Sequence, residues 1–228
     1  ILGCGSFAHR HAGYISQLSD DLQLVAFCDR NLHKSQAFSE QYTGGSAIAY
    51  TDHRKMMEET ELDLLFICLP PFAHSDEVEL AAQRGIHIFI EKPIALSSGV
   101  AWEMVKVTES AGIKTQVGFM FRFGTAIDEL KRMIESGEAG RVGLMTARYF
   151  CNSLHSYWWR DREKSGGQLV EQVIHMFDLM RYIMGDPVSV YSRQENIFHT
   201  DVADYTVEDV SATVVTFAGG AMGTINAT

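Results

Sequence analysis

The chain has 228 residues, 46% hydrophobic and 21% charged, which suits one large globular domain or two modest ones. Its net charge of −10, with no cluster of Lys and Arg, excludes a phosphate-gripping nucleic-acid surface. The longest apolar stretches, such as LDLLFICLPPF, are too short to span a bilayer, and nothing reads as a signal peptide.

From residue 1 to 118 short apolar runs alternate with amphipathic stretches. Strands are expected at 1–2, 22–28, 47–50, 62–69, 86–90 and 114–118, and helices at 7–18, 32–42, 52–59, 73–84 and 97–111. Repeated strand–helix units imply a parallel sheet with helices on both faces, a doubly wound α/β domain over residues 1–118.

After residue 118 the rhythm changes. A helix is expected at 122–136, a long strand at 142–153, a polar loop through SYWWRDREKSGG and a helix at 168–184. Strand-like runs at 188–198, 209–217 and 221–227 then follow with only short turns, as in an antiparallel sheet. Residues 119–228 thus read as an α+β domain with a mostly antiparallel, open sheet. Only two residues precede the first glycine turn and a strand-like run closes the chain, so both domains read as cut, the sheet incomplete at its C-terminal end.

Four cysteines, Cys4, Cys28, Cys68 and Cys151, show neither CxxC nor Cys/His zinc spacing. They read as reduced, mostly buried thiols of a cytoplasmic protein without a metal site.

The opening ILGCGSFAHRHAGYI places Gly3-Cys4-Gly5-Ser6-Phe7-Ala8 after a strand and at the start of a helix, the G-x-G-x-x-(G/A) pattern. Gly3 permits the turn, Gly5 lets backbone approach a pyrophosphate, and Ala8 lets helix pack on sheet. The helix N-terminus offers unpaired N–H groups to phosphates. Glycine pairs end many strands, so this pattern alone is also compatible with a plain strand–helix turn. Asp29 adds to it, ending the second strand at the spacing of an acid that binds adenosine ribose hydroxyls. Its charge repels a 2′-phosphate and favours NAD, while Arg30, able to stack on adenine or meet that phosphate, leaves NADP open.

Leu69-Pro70-Pro71 ends a central strand where doubly wound folds bind ligands, and His74 is expected in the first turn of the next helix. HIFIEKPIAL brings Glu91 and Lys92 out at the same edge, with Pro93 fixing the corner, in a cis bond or a trans one. A lysine at a dry corner beside a cationic ring has its pKa lowered and can exchange a proton with a hydroxyl. Glu91 either orients Lys92 or touches the cofactor, and a plain surface Glu–Lys pair remains the alternative. In SGGQLVEQVIHMFDLMRYIMG, Glu171, His175 and Asp178 share a face at i, i+4 and i+7, suited to acid–base work or to solvation. Leu169, Val173, Phe177 and Met180 line a core face. YWWRD sets Trp159 and Arg160 in a loop, to line a pocket or plug a seam, and Arg122 of FMFRF either meets substrate or bridges domains.

Taken in order, the glycine loop, Asp29, PPFAH, EKP, FRF, WWR and the GG…E…H..D helix resemble the Gfo/Idh/MocA family, the glucose–fructose oxidoreductase and inositol dehydrogenase group. The resemblance spans essentially the whole chain. It implies an NAD(P)-dependent oxidoreductase that moves a hydride between nicotinamide and a hydroxyl carbon of a sugar, inositol or related polyol. It also implies a homo-oligomer, dimer or tetramer, built on the second domain's open sheet. By position, Lys92 matches the catalytic lysine and His175 the histidine that binds or deprotonates the reacting hydroxyl. Trp159 and Arg160 match a Trp-Arg pair that approaches the nicotinamide. Where the family often has aspartate four residues before that histidine, this chain has Glu171, longer by one methylene. Lys92, His175 and Glu171 are thus the expected catalytic set, and with Arg122 the expected substrate contacts. The family also leaves room for an NAD-dependent glycoside hydrolase or a non-catalytic NAD/sugar sensor on the same scaffold.

Overall fold

The computed structural model describes residues 1–228, and the chain divides into two compact units, Ile1–Gly118 and Phe119–Thr228. The first unit carries strands β1 (Ala26–Cys28), β2 (Ile48–Tyr50), β3 (Leu64–Ile67), β4 (His87–Ile90) and β5 (Thr115–Val117). Its helices are α1 (Ser6–Gln17), α2 (Leu32–Thr43), α3 (His53–Glu59), α4 (Glu77–Gln83) and α5 (Ser98–Ala111). β1 pairs with β2, and β4 lies between β3 and β5, all in parallel. Leu2 bridges both Cys28 and Ile67, also in parallel, and so joins the two halves. The sheet order is therefore β2, β1, residues 1–2, β3, β4, β5, the doubly wound dinucleotide-binding order.

Alternation along the strands explains the two faces. Ile1 and Phe27 pack with Ala8, Ala12 and Ile15 of α1 and with Phe38 of α2. Leu2, Leu65, Ile67, Ile88 and Ile90 pack with Met56 and Met57 of α3, Val78 and Ala81 of α4, and Met104 of α5. Phe27 is fully buried, and each such side chain contributes about 1.5–3 kcal/mol.

The second unit has strands β6 (Leu144–Tyr149), β7 (Pro187–Glu195), β8 (Val210–Phe217) and β9 (Met222–Ala227), in the order β6-β9-β8-β7. β7–β8 and β8–β9 are antiparallel, whereas β6–β9 is parallel. The helices are α6 (Thr125–Glu135), the short α7 (Arg162–Ser165) and α8 (Ile174–Met184). Val173 and Met180 are buried against Ala147, Val215, Phe217 and Ile225 on one face of the sheet. Tyr191 and Val214, paired in register, are exposed together with Leu144 and Met222.

Several sequence expectations need correction. The 122–136 helix is split: a 3-10 turn at Met120–Phe123, then Gly124 as N-cap of α6. The 142–153 strand is shorter, ending at Tyr149, after which the Cys151 amide bonds the Thr228 carbonyl. His74 is not in a helical first turn: Pro71–Ala73 forms a 3-10 turn and α4 starts only at Glu77. The 168–184 helix opens with a π segment, Leu169–Val173, before α8.

Buried carboxylates order the loops of this unit. Asp209 accepts from the amides of Ile197, Phe198 and His199, each at 2.8 Å, and from His199 Nδ1 at 3.0 Å. Burial alone raises this carboxyl, but those donors outweigh it and hold the pKa below the ordinary value. Such a group adds stability above its unfolded pKa and loses it as the pH falls through the folded one. The thermal midpoint, followed from neutral pH downward, is therefore expected to drop once the pH is below about 3.9. Asp209→Asn is expected to lower the midpoint at neutral pH and to remove part of that acid dependence.

Candidate functional site

The C-terminal ends of the parallel strands gather the first unit's candidate residues along one edge. Gly3 follows the Leu2 bridge, Asp29 and Arg30 follow β1, Leu69 to Pro71 follow β3, and Glu91 and Lys92 follow β4. Strands sit about 4.8 Å apart, so Lys92 leaves the sheet two strand spacings, about 10 Å, from the glycine turn.

Gly3 has φ +88°, and an added Cβ would lie 2.6 Å from the Cys68 carbonyl oxygen. The turn is thus pressed against the end of β3, and no side chain fits. Gly5 differs: it has extended backbone, and a Cβ there would meet nothing within 4 Å. The protein itself leaves that space open, at the N-cap of α1, which has no side-chain cap and no acid in its first turn. Ser6 and Phe7 are exposed beside it, and Ala8 is fully buried. Open room next to uncapped helix amides fits a pyrophosphate.

Asp29 is fixed by the same loop. Its Oδ2 accepts from the Cys4 amide at 3.0 Å and its Oδ1 from the Asn31 amide at 2.9 Å. Each oxygen retains a lone pair for a ribose hydroxyl. Arg30 is exposed. Burial, and after it the Asp29 charge, pushes the Cys4 thiol up to about 12, so it stays protonated and unreactive.

Lys92 is half-buried, its bond to Pro93 is cis, and Pro93 is buried. The Glu91 amide bonds the Ile67 carbonyl at 2.9 Å, and the Glu91 carboxylate accepts from His11 Nε2 at 2.6 Å. His74 Nδ1 donates to Glu77 Oε1 at 2.5 Å, and the Ser75 amide reaches Glu77 Oε2 at 2.7 Å. Burial pushes the fully buried Glu77 carboxyl up, but the His74 and Ser75 bonds and the His74 charge bring it below its ordinary value.

In the second unit Glu171, His175 and Asp178 are 5%, 7% and 9% exposed, so the helix face carrying them is not a solvated one. Asp178 receives Arg122 in two bonds, Nε at 2.7 Å and Nη2 at 2.5 Å. Arg122 also lies over the Tyr182 ring at 4.8 Å. Its guanidinium is held within the unit and anchors the 120–123 turn to α8. That turn packs on His175, with the Phe121 ring 4.9 Å from the imidazole.

Trp159 packs on His155 at 4.3 Å between ring centroids. Arg160 donates to the carbonyls of Leu154 and His155, both at 2.8 Å, and covers the Tyr157 ring. Trp159, His155, Gln168, Glu171 and Gln172 line one small cavity of this unit. Burial, then the Arg160 charge, lowers the His155 pKa and keeps the ring neutral near pH 7. Its Nε2 bonds Gln172 and lies 3.5 Å from Cys151 Sγ. His11, His155 and Glu208, whose buried carboxylate accepts from the Leu169 amide at 2.9 Å and Arg162 at 2.6 Å, escape the sequence reading. His11 lies three residues beyond Ala8 on the glycine-loop helix, where a helical wheel could have flagged it. For His155 and Glu208 no local signal exists.

A family model described as "Oxidoreductase family, NAD-binding Rossmann fold" matches residues 1–119. A second, the GFO/IDH/MocA C-terminal domain, matches residues 127–228. The chain belongs to the Gfo/Idh/MocA oxidoreductase family. Its first unit is that family's NAD-binding Rossmann domain. D-glucoside 3-dehydrogenase of Escherichia coli strain K12 is 30% identical to it, over 96% of this chain and 66% of that protein. Myo-inositol 2-dehydrogenase of Thermotoga maritima is 28% identical, over 99% of this chain and 66% of that protein. The chain thus spans slightly less than two thirds of the length of these curated relatives. Among solved structures, the WlbA dehydrogenase of Bordetella pertussis, in complex with NADH and UDP-GlcNAcA, superposes with a TM-score of 0.89. It is 28% identical and is matched over 100% of this chain and 70% of that one. No helix is long and apolar enough to cross a membrane.

The two loop glycines separate fold from ligand. Gly5→Ala is expected to leave the unfolding midpoint nearly unchanged and to weaken NADH binding at least about tenfold, because only a ligand needs that space. Gly3→Ala is expected to lose stability as well, by about 1–3 kcal/mol, from strain and overlap with the Cys68 carbonyl. Calorimetry beside NADH fluorescence titration checks both.

Proposed function

We propose that the protein is an NAD-dependent dehydrogenase of a neutral sugar-like alcohol, a sugar, inositol or related polyol. The observation that carries this reading is the shared edge in the first unit. A glycine turn with open room at Gly5, a ribose-type acid at Asp29 and an amine at Lys92 leave one sheet at its ligand-binding end.

The glycine loop and the first turn of α1 hold the pyrophosphate, and Asp29 holds the adenosine ribose. The Asp29 charge favours NAD over NADP. Leu69, Pro70, Pro71 and His74 border the cofactor seat, and Trp159 and Arg160 are assigned to the nicotinamide side. Bound NAD supplies the acceptor for the hydride that leaves the hydroxyl carbon. Lys92 Nζ takes the proton of that hydroxyl, a general-base contribution of about 10²–10⁴-fold. His175 assists the same proton transfer, and Glu171 orients a neighbouring hydroxyl. Arg122 supports this face through Asp178 and the 120–123 turn.

The glucoside and inositol dehydrogenases among the relatives support a polyol substrate. The uncovered sheet face carrying Leu144, Tyr191, Val214 and Met222 supports self-association into a dimer or tetramer. Free thiols at all four cysteines fit a cytoplasmic enzyme.

The test is absorbance of reduced nicotinamide while polyols, sugars and sugar acids are screened with NAD and NADP separately. Reduction of NAD by a neutral polyol or sugar is expected, with Lys92→Met lowering turnover about 10³-fold and His175→Asn about 10²-fold. No reduction with any alcohol, together with release of a chromogenic aglycone in the presence of NAD, would replace this reading with a glycoside hydrolase.

A further inference from the structure

Glu91 sits immediately before Lys92, and its carboxylate is bonded to a side chain of another element. The carboxylate bonds His11 Nε2 at 2.6 Å, with the two side chains 12% and 19% exposed. His11 belongs to α1, the helix whose N-terminus the glycine loop opens, and Glu91 belongs to the corner after β4. One hydrogen bond thus connects two elements separated by 80 positions.

The seat of this pair is shaped on several sides. The His11 ring packs against Phe66 and Phe89, with centroids 5.6 and 4.9 Å away. The Glu91 amide is fixed to β3 through the Ile67 carbonyl. Gly118, whose amide bonds the Ile90 carbonyl, leaves room for the carboxylate: a Cβ there would lie 2.7 Å from Glu91 Oε2. Exposed ion pairs contribute little, because water competes and two side chains lose freedom. Here aromatic rings and backbone exclude most of that water and restrict both partners to one geometry.

We propose that His11 and Glu91 form a positioning pair that ties the glycine-loop helix to the Lys92 corner. Through it, the seat of the pyrophosphate and the amine assigned to proton transfer keep a fixed separation. Glu91 acts on the reaction through the place of Lys92, not by touching the dinucleotide. The inference rests on the proposed role of Lys92. Its magnitude follows from geometry, since misplacing a reacting group by 1 Å costs about 10²-fold in rate.

The test uses His11→Ala, Glu91→Ala and the double variant, each with its unfolding midpoint measured. The environment of Lys92 is read in nucleotide-free protein by NMR of ¹³C-methylated lysines, the Lys92 signal being assigned with Lys92→Arg. NADH affinity is read by fluorescence, and turnover with whichever polyol reduces NAD in the screen above. Both single variants are expected to move or broaden the Lys92 signal in the same way, with no further change in the double. Turnover is expected to drop about 10–100-fold in each single, non-additively in the double, with NADH affinity held within about threefold.

An unmoved Lys92 signal in folded single variants, or fully additive losses, would overturn the pairing. So would a loss of NADH affinity beyond about tenfold with the Lys92 signal intact, which would make the pair part of the cofactor seat. If the alanine variants do not fold, His11→Gln and Glu91→Gln give the same readout with smaller changes. Intact turnover in Lys92→Met would sink the proton-transfer role given to Lys92, whereas the NMR coupling between His11 and Glu91 is judged separately.

Discussion

Gly3 carries no side chain, and the Cys68 carbonyl stands where one would begin. That contact lets the first two residues lie between β1 and β3, bridged to Cys28 and Ile67. The Leu2 amide bonds the Phe66 carbonyl and the Cys68 amide bonds the Leu2 carbonyl, both at 2.8 Å, so the two halves of the first sheet meet there and the turn toward α1 opens where strand order reverses. The Asp29 carboxylate, bonded to the Cys4 amide, fixes the same turn from the β1 side. A dinucleotide site of this kind is largely built before any ligand arrives, which reduces the ordering cost of binding.

The second unit solves a different problem. Glu171, Asp178, Glu208 and Asp209 are buried, and a buried charge is costly unless paired and hydrogen-bonded. Asp178 accepts two bonds from Arg122, and Glu208 accepts from the Leu169 amide at 2.9 Å and from Arg162 at 2.6 Å. These groups act as internal scaffolding for the helix that carries Glu171 and His175. The polar candidates therefore divide into carboxylates that hold the fold and a Glu–His set one turn away that is assigned to substrate.

Much of the first unit was legible because parallel strands buried on both faces read as apolar runs and because glycine, acid and proline fall at strand ends. The spacing from Ala8 to Asp29 is a chain-length consequence of one helix and one strand. Local cues also explain the misses. Pro70 and Pro71 stop the strand, as their positions imply, but they also lead into a 3-10 turn, Pro71–Ala73, so that α4 starts only at Glu77 and His74 lies outside it. Strand succession correctly gives the antiparallel β7, β8 and β9, but it says nothing of β6, which pairs in parallel with the last strand. The His11–Glu91 bond and the Arg122–Asp178 pair join residues far apart in sequence, and no local pattern announces them. Both become visible only when the tertiary fold brings the segments together.

The π segment at Leu169–Val173 alters how spacing translates into direction. Residues in a regular helix advance by about 100° each, so counting positions gives an angle. Across a wider turn that conversion no longer holds. His175 and Asp178 keep the phase of α8, while Glu171 is set by the wider coil before it. Removing one residue there would restore a regular helix, leave His175 in register with the sheet beneath, and swing Glu171 around the axis. The direction of the glutamate is thus set apart from that of the histidine, and any change in it moves Leu169 and Val173, core side chains of the same segment.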